Sequence, residues 1–349
     1  MTKHTHATHV FTQSKDPSLV QPNCLAAQTT VGVDIAKESF AIAIRKADGQ
    51  YIDGDFKNTA KGHAQFCTFL RKHHAVDALI AMEATGNLYL DLATHLCKQR
   101  MRVSVVNPSR IHSYAKSQLK RNKTDPADAR LIAQFASTQP LRLWTAPSPE
   151  AAELQALSRR RGDLVTERTR EKNRLQANPS SGTVRSSLER QVAQLEDEIA
   201  AIEQAIKQLL KQHPELERSV KLLITIPGVA WTTAVTVLAE LPELTLFTSA
   251  RQLAAYAGLT PARSQSGKRE SKSYLSRIGS RRLRTALFMA AVSACQHNAI
   301  VKSFAERLEA NGKSGKVVTA AAMRKLLHII YGMLKSNRPF DPTFASVAT

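Results

Sequence analysis

The sequence predicts a mixed α/β domain, then a helical coiled-coil middle, then a mostly α C-terminal domain with a helix-hairpin-helix element. Three observations predict this. Residues 29–110 alternate short β-branched runs with stretches of helical spacing. Leu188, Val192, Leu195, Ile199, Ile202, Ile206 and Leu209 recur at spacings of four and three, the seam of a coiled coil. Beyond 221, IPGV (226–229) interrupts two further helical patterns.

The elements follow in order. Residues 1–28 are polar, include His4, His6 and His9, lack the apolar stretch of a signal peptide, and are expected to be a disordered tail. TTVGVDIA gives a first strand ending near Asp34. SFAIAIRKADGQYIDGDFKNT gives two more, joined by a turn at Ala47-Asp48-Gly49. KGHAQFCTFLRKHH has helical spacing, and DALIAMEATG is a strand ending at Glu83. A helix over 87–99, the strand RVSVVNP and a helix opening at Ser109 come next. Three meandering strands followed by alternating helix and strand indicate a mixed sheet over 29–140. TQPLRLWTAPSPEAAELQ, with three prolines, is a linker. An arginine-rich helix over 151–177, a break at NPSSG (178–182) and the heptad run form an arm over 150–213, suited to an antiparallel hairpin or to pairing with another subunit. The last domain spans 218–340. In it a helix over 249–257 ends at Gly258, and a polar loop precedes a helix through Leu283, Leu287 and Ala290.

Composition narrows the function. No apolar run approaches the roughly 20 residues that span a bilayer. Cys24, Cys67, Cys97 and Cys295 form no CxxC pair, which argues against a zinc site or disulfide framework and suits a reducing cytoplasm. No GxxxxGK[ST] occurs, so ATP chemistry is not expected. The net charge is +20, and residues 251–340 hold 17 Lys/Arg against 3 Asp/Glu, so +14 of the excess lies in about a quarter of the chain. Single-sign bias of that size points to a polyanion, DNA or RNA, rather than to a merely solvated face.

Against this background RNKTDPADARLIAQFA (121–136) carries two carboxylates three residues apart. Thr124 is a good N-cap and Pro126 suits the first turn, so Asp125 and Asp128 share one helix face. Carboxylates at a helix N-terminus also serve the helix dipole, so these two alone decide nothing. In a mixed sheet, however, the ends of adjacent strands converge, and Asp34 and Glu83 lie at such ends. Four acids at one edge suit Mg²⁺ (or Mn²⁺), a hard cation with oxygen ligands that serves phosphoryl transfer. Basic surroundings would bring the phosphodiester. IPGV resembles the hairpin of a helix-hairpin-helix element, whose backbone N–H groups grip a phosphate without reading sequence. Candidate nucleic-acid contacts are Pro227 and Gly228 in that hairpin, Lys268, Arg269, Arg277, Arg281 and Arg282 in the basic segment, and Arg159 and Arg160 in the arm. The polar loop holds five serines, Ser264, Ser266, Ser271, Ser273 and Ser276, and composition singles out none. On the residues alone, a metal-dependent nuclease or junction resolvase using water is the favoured enzyme, with a non-catalytic nucleic-acid scaffold as the contrasting class.

The motifs GVDIAKESF (32–40), AMEATGNLY (81–89), VVNPSRI (105–111), RNKTDPADARLIA (121–133), IPGVAWTTAVTVLAE (226–240), RQLAAYAGLTPARSQSG (251–267), LRTALFMAA (283–291) and ANGKSGKVVTAAAMRKLLHIIYGMLK (310–335) occur in this order. Together they resemble the DEDD transposases of the insertion-sequence-110 and -1111 family, over nearly the whole chain. The resemblance implies a ribonuclease-H/RuvC-like N-terminal domain whose acidic tetrad is Asp34, Glu83, Asp125 and Asp128. It implies a C-terminal transposase domain with a serine nucleophile after the GLTP motif, here Ser266 followed by Gly267. It also implies a guide (bridge) RNA encoded by the element, which brings donor and target DNA together. The expected assembly is a homo-oligomer, a dimer or tetramer, in the bacterial cytoplasm at the nucleoid, with no membrane partner.

Overall fold

The computed structural model describes residues 19–20, 29–84, 86–118, 125–177, 180–241, 244–262, 265–266, 269–270, 274–275 and 278–343; for 19–20, 125, 262, 265–266, 269–270 and 274 this is backbone alone. The chain divides into two compact units, 1–146 and 147–349.

The first unit contains β1 (Leu19–Val20), β2 (Thr30–Ile35), β3 (Ser39–Arg45), β4 (Tyr51–Lys57), α1 (Ala60–Lys72), β5 (Leu79–Glu83), α2 (Leu90–Lys98), β6 (Arg102–Val106), α3 (Pro108–Ser117), α4 (Asp125–Thr138) and β7 (Leu141–Arg142). Five strands form one sheet in the order β4-β3-β2-β5-β6. β2, β3 and β4 are antiparallel neighbours, and β5 and β6 run parallel to β2. Gly49, at φ +86, makes the β3–β4 turn, where Gln50 N–H donates to Asp48 Oδ1 at 2.9 Å. Alternation along β2 divides the core between the two faces of the sheet. Val31, Val33 and Ile35 pack with Phe40, Ile42, Phe66 and Leu92 under α1 and α2. On the other face, Leu79 and Ala81 meet Leu131, Ile132 and Phe135 of α4. The helix expected from Ser109 starts one residue earlier, because the Asn107 side chain accepts from Ser109 N–H and Pro108 fills the first turn. Within the expected N-terminal tail, Leu19–Val20 pair with β7, an apolar dipeptide completing a ladder too short to show periodicity.

The second unit contains α5 (Pro149–Gln176), α6 (Gly182–Gln212), α7 (Pro214–Ile224), α8 (Trp231–Glu240), α9 (Ala250–Tyr256), β8 (Pro261–Ala262), β9 (Gln265–Ser266), β10 (Arg269–Glu270), β11 (Tyr274–Leu275), α10 (Arg281–His297), α11 (Ala299–Ala310) and α12 (Gly315–Ser336). α5 and α6 fold back as an antiparallel hairpin, with Lys172 against Glu196, Arg160 against Glu198 and Arg161 against Glu203. Leu164, Leu195 and Ile199 form its seam, while Leu154, Ile206 and Leu210 enter the same core as α7–α12. α12 is long and apolar enough to cross a membrane by length and composition, which the sequence reading did not anticipate. Its Val318, Ala322, Leu326, Leu327 and Ile330 are buried against the surrounding helices, the role of a core helix. The expected polar loop contains nested ladders: β8 pairs with β11, and β9 with β10.

Candidate active site and nucleic-acid interface

Asp34 stands one residue before the end of β2, and Glu83 ends β5. The two strands are parallel neighbours, paired as far as Val33 with Met82, so the next rung sets Asp34 beside Glu83. Adjacent strands lie about 4.8 Å apart. Both residues are half-buried and lie on the face that α4 covers.

The position of α4 follows from small residues. A Cβ on Gly32 would stand 2.1 Å from the Ala129 carbonyl oxygen and 2.3 Å from the Ala133 nitrogen, so helix and strand backbones touch there. Thr30 Oγ1 donates to the Ala133 carbonyl at 2.9 Å. Ala41 and Ala43 of β3 pack on Ala129. α4 therefore runs opposite to β2, with Ala133 over Thr30 and Ala129 over Gly32. Four helical residues rise about 6 Å and two strand residues about 6.7 Å, so the next step of this register brings position 125 level with Asp34. Asp128 is half-buried in the same first turn. Arg130 reaches across the same face to the edge strand β4, where its Nε donates to Asp53 Oδ1 at 2.9 Å. The proposed cap Thr124 lies outside the described residues.

Oxygen donors of this kind suit a hard divalent cation. Among the described residues no group of three or more Asp, Glu, His or Cys side chains is close enough to hold a metal. Asp34, Glu83 and Asp128 are all described and do not form such a group, while the Asp125 side chain lies outside the described set.

Asn58 has no sequence signal and ties this edge together. Its Nδ2 donates to the Ala36 carbonyl at 3.2 Å and the Leu88 carbonyl at 3.3 Å, on the segments that follow Asp34 and Glu83. Its Oδ1 lies 2.9 Å from His63 Nε2. With both amide protons used, Oδ1 is the acceptor and His63 carries its proton on Nε2. Burial, with His95 nearby, lowers the His63 pKa, against a smaller upward pull from Asp91.

In the second unit, Ser266 ends β9 opposite Arg269 of β10, with two residues between them, so it stands at the tip of the ribbon. Lys268 and Arg277 lie outside the described residues. Gly228, at φ +98, lies in the turn between α7 and α8, where a Cβ would come within 2.7–2.9 Å of Ala294. The Pro227 carbonyl accepts from Asn298 Nδ2 at 3.5 Å. Ala230 caps α8 without a side-chain acceptor. The arginines divide into two groups. Arg159 grips the buried Glu240 in a fork, Nε at 2.7 Å and Nη2 at 3.1 Å. Arg160 pairs with Glu198 at 3.2 Å, and Arg282 with Asp163 at 3.2 Å. Arg281 is exposed and has no acidic partner among the described residues.

A transposase family model, of the DEDD type of IS110, matches residues 31–178. A second, for the transposase IS116/IS110/IS902 family, matches 220–306. The chain is 36% identical over 323 residues to the pilin gene-inverting protein of Moraxella bovis, covering 90% of this chain and 98% of that protein. The chain belongs to the IS110 family of transposases. Within this family it is also similar to the transposase for insertion sequence element IS1111A of Coxiella burnetii, 26% identical over 302 residues, 76% of this chain and 78% of that protein. An IS110-family transposase is an enzyme of DNA cleavage and rejoining. The family match on 31–178 includes all four acids, and that on 220–306 includes the ribbon and Ser266.

Proposed function

We propose that this transposase breaks and rejoins DNA through a phosphoserine intermediate at a composite site of Asp34, Glu83, Asp125, Asp128 and Ser266, guided by an RNA. The observation that carries the reading is the register of β2, β5 and α4. It aligns Asp34 with Glu83 and leads the acidic end of α4 to the same edge. The strand order β4-β3-β2-β5-β6, with three antiparallel strands and two parallel ones, supports a ribonuclease-H/RuvC-like domain. The four carboxylates would hold Mg²⁺ or Mn²⁺, which when bound supplies compensation for charge developing on the phosphate.

Ser266 Oγ attacks the scissile phosphorus. An Oγ–P bond forms as the P–O3′ bond breaks, the serine proton is lost, and the departing oxygen becomes a 3′-hydroxyl. A different 3′-hydroxyl then attacks the phosphoserine, which restores the diester and returns Oγ as a hydroxyl. The covalent link conserves the diester energy, so no nucleotide triphosphate is consumed. The acids and the serine belong to different units, and the site forms within one chain or between copies in a dimer or tetramer. The Pro227-Gly228 turn with its side-chain-free cap on α8 supports a helix-hairpin-helix grip on a DNA phosphate. The +14 charge of 251–340 supports an RNA partner recognised by shape and backbone.

The test is a covalent-trapping assay with purified protein, its co-expressed RNA, Mg²⁺ and labelled donor and target DNA, read on a denaturing gel. A protein–DNA adduct in wild type, absent in Ser266→Ala and Asp125→Ala, is the expected result. Cleavage by Ser266→Ala with no adduct in any lane would leave a nuclease that uses water.

A further inference from the structure

Two adjoining cavities open in the second unit, and the cleavage chemistry uses neither. The larger, about 680 Å³, lies between α12 and residues 338–341. The smaller, about 410 Å³, includes Ser303, Phe304 and Arg307, and meets the first at Ile300 and Lys325. Asn337, at φ +53, ends α12 in the left-handed conformation and turns the chain back. Phe340 N–H then donates to Thr225 Oγ1 at 3.0 Å, which pins the returning segment.

Lys325, His328, Ile329, Gly332 and Ser336 recur at helical spacing and present one stripe of α12 to the larger cavity. Gly332 is a glycine inside a 22-residue helix, where it is the poorest former short of proline. A Cβ there would meet nothing within 4 Å, so packing does not require the glycine. His328 Nε2 is buried and has no hydrogen-bond partner among the described residues. The remaining walls are apolar, Ile329, Met333, Pro339 and Phe340, and the rim is cationic, Lys325 and Arg338. Asp341 is the one acid on the lining, and its carboxylate already accepts from Thr343 N–H at 2.8 Å and Oγ1 at 2.6 Å. In the smaller cavity the Arg307 guanidinium lies 5.5 Å from the Phe304 ring centre.

We propose that the larger cavity takes a single unstacked nucleobase of a nucleic-acid strand, with the adjacent phosphate held at Lys325 and Arg307. A flat heteroaromatic ring fits the apolar walls and can lie against the His328 imidazole that lines them with Ile329, Met333, Pro339 and Phe340. The cationic rim answers the phosphate, which an apolar peptide or lipid chain would leave unused. This site is separate from the composite site above, and its occupancy is readable without recombination.

The experiment measures binding of the full chain to single-stranded ten-nucleotide DNA and RNA by fluorescence anisotropy, each intact or with one abasic position. Loss of a stacked base is expected to weaken binding roughly 5- to 100-fold, in the DNA arm, the RNA arm or both, with the salt dependence unchanged. Gly332→Leu puts a side chain into the cavity from a position where a Cβ meets nothing within 4 Å. It should abolish sensitivity to the abasic position while thermal unfolding stays at or above wild type. Equal binding of intact and abasic strands in both arms, or abasic sensitivity that survives in Gly332→Leu, would overturn the proposal. A second measurement avoids variants: photocrosslinking of 5-iodopyrimidine strands to wild type should label the peptide 325–341. Labelling confined to other peptides would also overturn it.

Discussion

Replacing Gly32 by alanine tests whether backbone contact sets the depth of the acidic edge. The added Cβ would stand 2.1 Å from the Ala129 carbonyl oxygen, about 1.3 Å short of the 3.4 Å at which ordinary van der Waals contact begins. Neither neighbour is the end of a flexible side chain, so α4 must lift by about that amount. Lifting strains the Thr30–Ala133 hydrogen bond and loosens Leu131, Ile132 and Phe135 from Leu79 and Ala81. Overpacking of this kind costs about 2–3 kcal/mol and lowers Tm by roughly 5–10 °C for a unit of this size. The same lift moves positions 125 and 128 away from Asp34, and at the composite site proposed above a displacement near 1 Å would cost on the order of 10²-fold in rate. The assays are chemical denaturation and excision from a reporter plasmid. A Gly32→Ala protein as stable and as active as wild type would refute the reasoning, because it would mean that α4 does not rest on β2 as described.

Three further outcomes follow from particular contacts. Glu240→Ala removes the buried carboxylate that Arg159 grips in a fork; breaking a buried pair costs about 3–5 kcal/mol, reduced here to roughly 2–3 because Arg159 is one-third exposed, and the urea midpoint reports it. Arg281→Ala should leave that midpoint within about 0.5 kcal/mol of wild type and reduce the slope of log affinity for DNA against log salt by about 1; an unchanged slope removes Arg281 from the interface. Stability should fall as pH drops below 6.5: His63 is held neutral in the folded unit, its pKa lowered, so protonation favours the unfolded chain, whereas above 6.5 the contribution is complete. His328 acts in the same direction for the second unit, through burial and the nearby Arg324, Lys325 and Arg251. Thermal scans from pH 7.5 to 5 should show the decline, and His63→Gln should flatten part of it.

The sheet was readable because its strands are β-branched and end in turn residues, as in the run from Thr30 to Lys57. The arm was readable because seven apolar positions keep heptad spacing and NPSSG breaks the helix. The acids could be placed at strand ends because a parallel sheet gathers them there. What escaped depends on long-range contact. Gly32 in GVD could have been a bulge or a weak strand position, and only Ala129 and Ala133, about a hundred residues away, explain it. Asn58 follows a strand like any turn residue, and its partners at 36, 63 and 88 have no shared local pattern. The fork between Arg159 and Glu240 joins residues 81 positions apart and leaves no local signal. The ladders β8–β11 and β9–β10 are two residues each, below the length at which alternation can be seen.

β2 is the middle strand of five, hydrogen-bonded along both edges, so its amide protons can exchange only when the first unit opens as a whole. β9 and β10 share two residue pairs, and a two-stranded ribbon of that length is marginal by itself in water. Asp34 and Ser266 thus ride on elements at opposite ends of the scale of lifetimes. On the mechanism proposed above, the acidic edge would persist between encounters with DNA, whereas the ribbon that carries Ser266 would gain firmness from what docks against it. Strand breakage would then be conditional on assembly, and a lone copy meeting a chromosome would be a poor nicking agent.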